Sequence, residues 1–195
     1  MRLKDLVQKT RCYRRFDNSY NIAEQDLLDL VDLARLTSSA KNMQPLRYIV
    51  SNEKNTNGRI FETLAWAGYL TDWDGPSKTE RPSAYLVQLL DTTITTNNYC
   101  DHGLAAQSIL LGATEKGFGG CIIAAIDKER LRENLQIPNM LEILQVIVLG
   151  KPAETVILDE LKQGESHKYW RDKQNRQRVP KRTLDDIIFK TYVDR

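Results

Sequence analysis

Between residues 21 and 37, "NIAEQDLLDLVDLARLT", the apolar side chains Leu27, Leu28, Leu30, Val31 and Ala34 recur at helical spacing. Asn21 reads as the N-cap, and Glu24 three residues on completes a capping box. The pattern then breaks into "TSSAKN", whose hydroxyl and amide side chains compete for backbone hydrogen bonds and favour turns. Pro45 should push Gln44 toward extended geometry, and "RYIVS" at residues 47–51 reads as the first strand. Residues 59–70, "RIFETLAWAGYL", look helical, and residues 71–83, with two prolines and mixed charge, look like a surface loop or lid.

The continuous apolar run "AYLVQLLD", residues 84–91, suits an interior strand. Residues 101–117 form a second long helical pattern, with Leu104, Ala105, Ser108, Leu111 and Gly112 along one face and Gly117 as terminator. Small residues on that face imply close packing of a neighbouring helix or a partner subunit. "GGCIIAAID" and "EILQVIVLG" supply two more strands, and between them Asp127 caps the short helix "KERLRENL". Four strands separated by helices indicate a mixed α and β domain. Beyond residue 150 the chain becomes charged and weakly periodic. This stretch is too short for a second domain and suits a tail wrapped over its own core or a partner's, with "LDDIIF" as a small apolar docking patch.

At 195 residues the chain fits one domain with a real core, and 41% apolar against 28% charged residues are ordinary for a soluble protein. A formal charge of +2 gives no global attraction to nucleic acid or an anionic membrane. Cys12, Cys100 and Cys121 are odd in number and form no CxxC pair, which argues for reduced thiols rather than a disulfide framework or a metal cage. No leader-like apolar segment or spanning stretch stands out, so the expectation is a cytoplasmic protein that binds neither membrane nor metal.

Two basic clusters could hold an anion: Arg11, Arg14 and Arg15 near one end, Lys181 and Arg182 near the other. If residues 11–14 are helical, Arg11 and Arg14 share a face. "GFGG" at 117–120 is either a helix cap with a tight turn into a strand or a close backbone approach to a ligand. It fails as a dinucleotide fingerprint, because Ile122 stands where glycine or alanine is needed. His102 and His167 belong to no catalytic motif, Asp101 reads as an N-cap, and the acids of "LDDII" read as a solvated face. No acid and base pair emerges, so any hard chemistry belongs to a cofactor and no side chain is assigned a catalytic role.

Taken together, "TRCYRRF" (10–16), "SSAKNMQP" (38–45), "DHGLAAQSILLGATEKGFGGCII" (101–123), "VIVLGKP" (146–152) and "VPKR" (179–182) resemble the FMN-dependent nitroreductase family across nearly the whole chain. The resemblance implies an α+β, three-layer sandwich: a mostly antiparallel mixed sheet flanked by helices, in an intertwined homodimer with FMN at the subunit interface. Residues 1–195 would be one such domain, with 151–195 an extension wrapping the partner subunit. It further implies that Ser38, Ser39, Ala40 and Asn42 contact the flavin bound mainly by the other subunit. Arg11 would match the phosphate-side arginine and Arg14 a basic residue near the phosphate or pyrimidine edge. Lys181 and Arg182 would close on the phosphate, and Gly119 and Gly120 would run beside the flavin N5.

Cys12 replaces a usual serine at the phosphate, and a thiol is the poorer donor. Leu46 replaces a common tryptophan and "CII" a common "CWI", which bears on pocket shape and acceptor choice. The activity implied is hydride transfer from NADH or NADPH through FMN to a nitroaromatic, quinone or similar small-molecule electron acceptor, with ping-pong kinetics. Family relatives with other flavin reactions (reductive dehalogenation, enone reduction, flavin breakdown) are the enzymatic alternative. A different class is a nucleic-acid binder using residues 168–182, which hold seven basic residues against one aspartate, with Tyr169 and Trp170 to stack bases.

Overall fold

Residues Ala84–Asp91 are buried at every position, as a strand must be when both its faces are covered and both its edges paired. The computed structural model describes residues 2–194. In it the chain divides into two units, one of residues up to Trp66 with Asp74–Ala153, the other of Ala67–Trp73 with the chain from Glu154 onward.

The larger unit runs α1 (Leu3–Lys9), β1 (Phe16–Asp17), α2 (Glu24–Arg35), β2 (Leu46–Ser51), α3 (Lys54–Phe61), β3 (Ala84–Asp91), α4 (Asp101–Glu115), β4 (Gly119–Ile123), α5 (Lys128–Leu135) and β5 (Leu141–Pro152). Strands β2, β3 and β5 lie side by side, and β4 and β1 share the far edge of β5, all antiparallel. Alternation assigns the faces: Leu86, Ile147 and Leu149 pack with Leu27 and Leu30 of α2 and Ala105, Ala106 and Ile109 of α4. Tyr85, Val87, Cys121, Val146 and Val148 pack on the other side with Ile60 of α3 and Leu131 of α5. The result is three layers, and each fully buried apolar side chain contributes roughly 1.5–3 kcal/mol. A register shift between Gln88 and Leu89 inverts the parity of β5, which is why Ile143 and Val146 face the same way.

The smaller unit carries β6 (Val156–Glu160), β7 (Trp170–Arg171), β8 (Gln177–Lys181) and α6 (Leu184–Ile187). Its sheet has β8 in the middle, parallel to β6 and antiparallel to β7. Tyr69 packs on Tyr169 at 5.0 Å between centroids, and the Arg171 guanidinium lies 4.3 Å from the Trp73 ring.

Several sequence-based expectations are corrected. α2 starts at Glu24 with Ala23 as N-cap, because Ile22 is fully buried and holds the chain extended past Asn21; the capping box does not form. The helix expected at 59–70 is α3, earlier by about a turn. Glu53 caps it by accepting from the amides of Asn55 (2.8 Å) and Thr56 (2.6 Å). It ends at Phe61, after which Leu64 bridges to Ile126 and Ala67 turns left-handed (φ 43°). Residues 11–14 are not helical, since α1 stops at Lys9. Gln44 has φ 52°, not the extended geometry expected before Pro45. On α4 the buried face is Ala105, Ala106, Ile109, Gly112 and Ala113, while Leu104 and Ser108 face outward. Gly112 lets α4 seat close to α2, where a Cβ would collide with the Leu33 side chain, and Leu104 is left outside.

Candidate functional site

The N-terminal segment reaches the start of β4 because α1 ends where Thr10 bonds Leu6 O (2.8 Å) and Thr114 Oγ1 (3.0 Å) on α4. Cys12 then pairs with Gly120 as a parallel bridge, and Tyr13 N donates to Gly120 O at 3.0 Å. Thus Arg11, Cys12 and Arg14 are brought against Gly119 and Gly120. Gly119 is required by this approach, and Gly120 by the packing of β4 on β5 and α4. A Cβ on Gly119 would lie 2.5 Å from the Tyr13 ring, and one on Gly120 would lie 2.6 Å from Val148 O. Gly117 (φ 79°) ends α4, so "GFGG" is both a helix terminator and a close-packed strand start.

Electrostatics at this junction are positive. The Cys12 thiol is lowered from 9.0 to about 6, first by the hydrogen bond from Cys121 and, against the opposing effect of burial, by Arg14, the Ile122 amide and Arg11. Arg11 donates from one terminal nitrogen to Val7 O at 2.6 Å, and its buried Nε has no protein partner. Arg14 donates to Cys12 O at 3.4 Å. Among the described residues no disulfide links the three cysteines.

The loop of Ser38, Ser39, Ala40 and Asn42 sits elsewhere in the same unit, over a cavity of about 400 Å³ floored by Val31, Leu46 and Val50 and edged by Tyr48 and Gln44. Asp101 orders it. The carboxylate accepts from Ser39 Oγ (2.6 Å) and Ala40 N (3.0 Å), and Ser39 Oγ accepts from Gln44 N (2.9 Å). Asp101 is therefore not the N-cap of α4, a position held by Cys100. Those bonds hold Lys41, Asn42 and Gln44 at φ of 52–54°, unusual for residues with side chains and typical of binding loops. Nothing near Asp101 in sequence signals this role, since its partner Ser39 lies 62 residues away. Cys121 was also missed as a neighbour of Cys12, and only the β4 pairing reveals it.

Beneath the loop a buried amide chain stiffens the sheet: Gln88 donates to Tyr48 Oη (2.9 Å) and Gln145 to Gln88 Oε1 (2.7 Å). Burial pushes the Tyr48 phenol up.

Lys181 closes β8 and Arg182 follows it, both exposed in the smaller unit, where Lys181 O accepts from Leu161 N at 2.8 Å. The neighbouring basic residues face carboxylates: Arg171 pairs with Glu154, Arg176 with Asp172, and Arg178 with Asp159. Nor do residues 71–83 form one free lid. Ser77 and Glu80 make a capping box, and Arg15 pairs with Glu80 to hold that turn.

Arg11, with its orphaned Nε, and Arg14 form a donor set of the kind a phosphate group would need. The sequence profile of the nitroreductase family matches residues 7–68 and 79–151, and the chain belongs to that family. It is 26% identical over 153 residues (74% of its length, 83% of the relative's) to an Archaeoglobus fulgidus protein provisionally named NADH dehydrogenase/NAD(P)H nitroreductase. Its fold is similar to that of an FMN-dependent nitroreductase from Clostridium difficile, with TM-score 0.64 and 21% identity over 78% of this chain and 88% of that one. It is also similar to the NADPH:FMN oxidoreductase of Vibrio harveyi, with TM-score 0.62 and 20% identity over 77% and 69% of the two chains. No helix among the described residues is long and apolar enough to cross a membrane.

Proposed function

We propose that the protein is an FMN-dependent oxidoreductase that takes hydride from NADH or NADPH and delivers it to a nitroaromatic, quinone or similar electron-poor acceptor. The observation that carries this reading is the Cys12–Gly120 bridge, which sets two arginines beside a strand start too tight for any side chain. Bound there, FMN would supply a two-electron store that couples a donor half-reaction to a separate acceptor half-reaction.

The residues would divide the work by chemistry. Arg11 would hold the phosphate through charge-assisted bonds, with Arg14 either beside it or at the pyrimidine edge. The backbone of Gly119 and Gly120 would run beside the ring. A cation near the pyrimidine edge favours the negative charge that two-electron reduction leaves there, a role open to Arg14. The Ser38–Asn42 loop would meet the flavin of a second copy across a homodimer, supported by its pre-ordering on Asp101 and by the apolar floor beneath it. Residues 151–195 would wrap that second copy.

The purified protein should be yellow, and anaerobic NADH or NADPH should bleach it, with colour restored by a nitroaromatic or a quinone. Arg11→Gln should weaken FMN binding by about tenfold, as loss of a charged hydrogen bond does. A colourless protein that fails to take up added FMN would refute the assignment.

A further inference from the structure

A second cavity in the larger unit, about 670 Å³, uses none of the residues discussed for flavin. Three cations line it, Lys54 from the start of α3 and Lys78 and Arg81 from a single turn, and no carboxylate does. Its other walls include Asn57, Ser83 and Tyr85. The acids adjacent in sequence are turned to other partners: Glu53 to the amides of Asn55 and Thr56, and Glu80 to Arg15 and Ser77. Among the described residues none of the three cations is in an ion pair.

Two polar groups in the lining are buried without partners. Ser83 is only 6% exposed and its hydroxyl bonds nothing, and the Nε of Arg81 is likewise unpartnered. Orphaned buried donors are uncommon in folded proteins and are expected where a ligand completes them. The site is also rigid. Asn57 donates to Ser83 O (2.9 Å) and accepts from Ser51 (2.7 Å), and Asn18 donates to Arg81 O (3.0 Å). The Arg81 guanidinium lies 3.8 Å from the Phe61 ring centroid, which fixes its plane.

We propose that this cavity binds a small phosphate monoester. The arginine fork and two lysines suit a dianionic phosphate. The volume exceeds what inorganic phosphate fills, and the Asn21 amide with the carboxamide oxygens of Asn18 and Asn52 can meet a hydroxylated remainder.

Titration calorimetry on the full chain as purified tests this, with a hexose phosphate, adenosine monophosphate, inorganic phosphate and the neutral hexose as probes. At least one ester should bind more tightly than inorganic phosphate, the neutral hexose should not bind, and affinity should fall with salt. Arg81→Gln and Lys78→Gln should each weaken ester binding about tenfold, while Arg11→Gln should leave it unchanged. Should Arg81→Gln unfold, the exposed pair Lys54→Gln and Lys78→Gln decides. No binding by wild type, equal affinity for inorganic phosphate and both esters, or loss in Arg11→Gln with retention in Lys78→Gln would each overturn the proposal.

Discussion

Cys12 sits where its chemistry and its surroundings pull in different directions. With the thiol at about 6, more of it is thiolate than thiol at neutral pH, favoured by the Cys121 bond and by Arg14 and Arg11. A thiolate cannot donate to a phosphate and repels it, so the cations that would draw in FMN also create a competing anion. If the flavin reading holds, Cys12→Ser should tighten FMN binding about tenfold at neutral pH, the worth of a restored hydroxyl bond plus a removed like charge. The wild-type deficit should shrink as pH falls through about 6, where the thiol regains its proton; comparison with the serine variant cancels the titration of the FMN phosphate itself. Fluorescence titration across pH measures this, and equal affinities at every pH would remove Cys12 from the phosphate site. Independently of FMN, iodoacetamide should label Cys12 along a curve whose midpoint lies below that of an ordinary thiol.

Among elements, the junction of the N-terminal segment with β4 is the tightest place in the candidate site, and its two glycines differ in what opposes them. A methyl at Gly119 meets the side chains of Tyr13 and Pro152, which must shift to admit it; a methyl at Gly120 meets the Val148 carbonyl inside the sheet, which cannot move without breaking the β4–β5 ladder. Gly120→Ala should therefore cost about 1–3 kcal/mol in urea denaturation and Gly119→Ala clearly less. Much of this region was legible in sequence. β3 announced itself by an unbroken apolar run, α5 by Asp127, whose carboxylate accepts from Arg130 N at 3.0 Å, and the end of α4 by Gly117. What failed was not local. The start of α2 is set by burial of Ile22, the loop at 38–42 by a carboxylate far along the chain, and the orientation of α4 in part by the close approach of Gly112 to α2. Strands β6–β8 are short, lie in charged sequence and are defined by pairing rather than by periodicity.

At the scale of the whole molecule, each unit leaves apolar surface that folding of the chain does not cover. In the larger unit Leu33, Leu36 (65% exposed) and Leu104 (47%) edge a shallow groove of about 550 Å³ between α2 and α4, bounded also by Leu6 and Leu111. In the smaller unit Phe189, Tyr192 and Val193 are exposed in sequence beyond α6. Clusters of this kind mark contact surfaces, and a homodimer is the assembly that the flavin reading requires. Leu36→Glu with Leu104→Glu should convert a dimer to a monomer in analytical ultracentrifugation, since a stable interface needs roughly 1,200–2,000 Å² and cannot bury an unpaired carboxylate at its centre. Neither leucine belongs to the Cys12–Gly120 junction, so local damage there would not explain a concurrent loss of FMN. A monomeric double variant that has also gone colourless would tie flavin retention to the second copy. A wild-type monomer that keeps its FMN would instead confine the whole site to one chain and leave the Ser38–Asn42 loop without its proposed role.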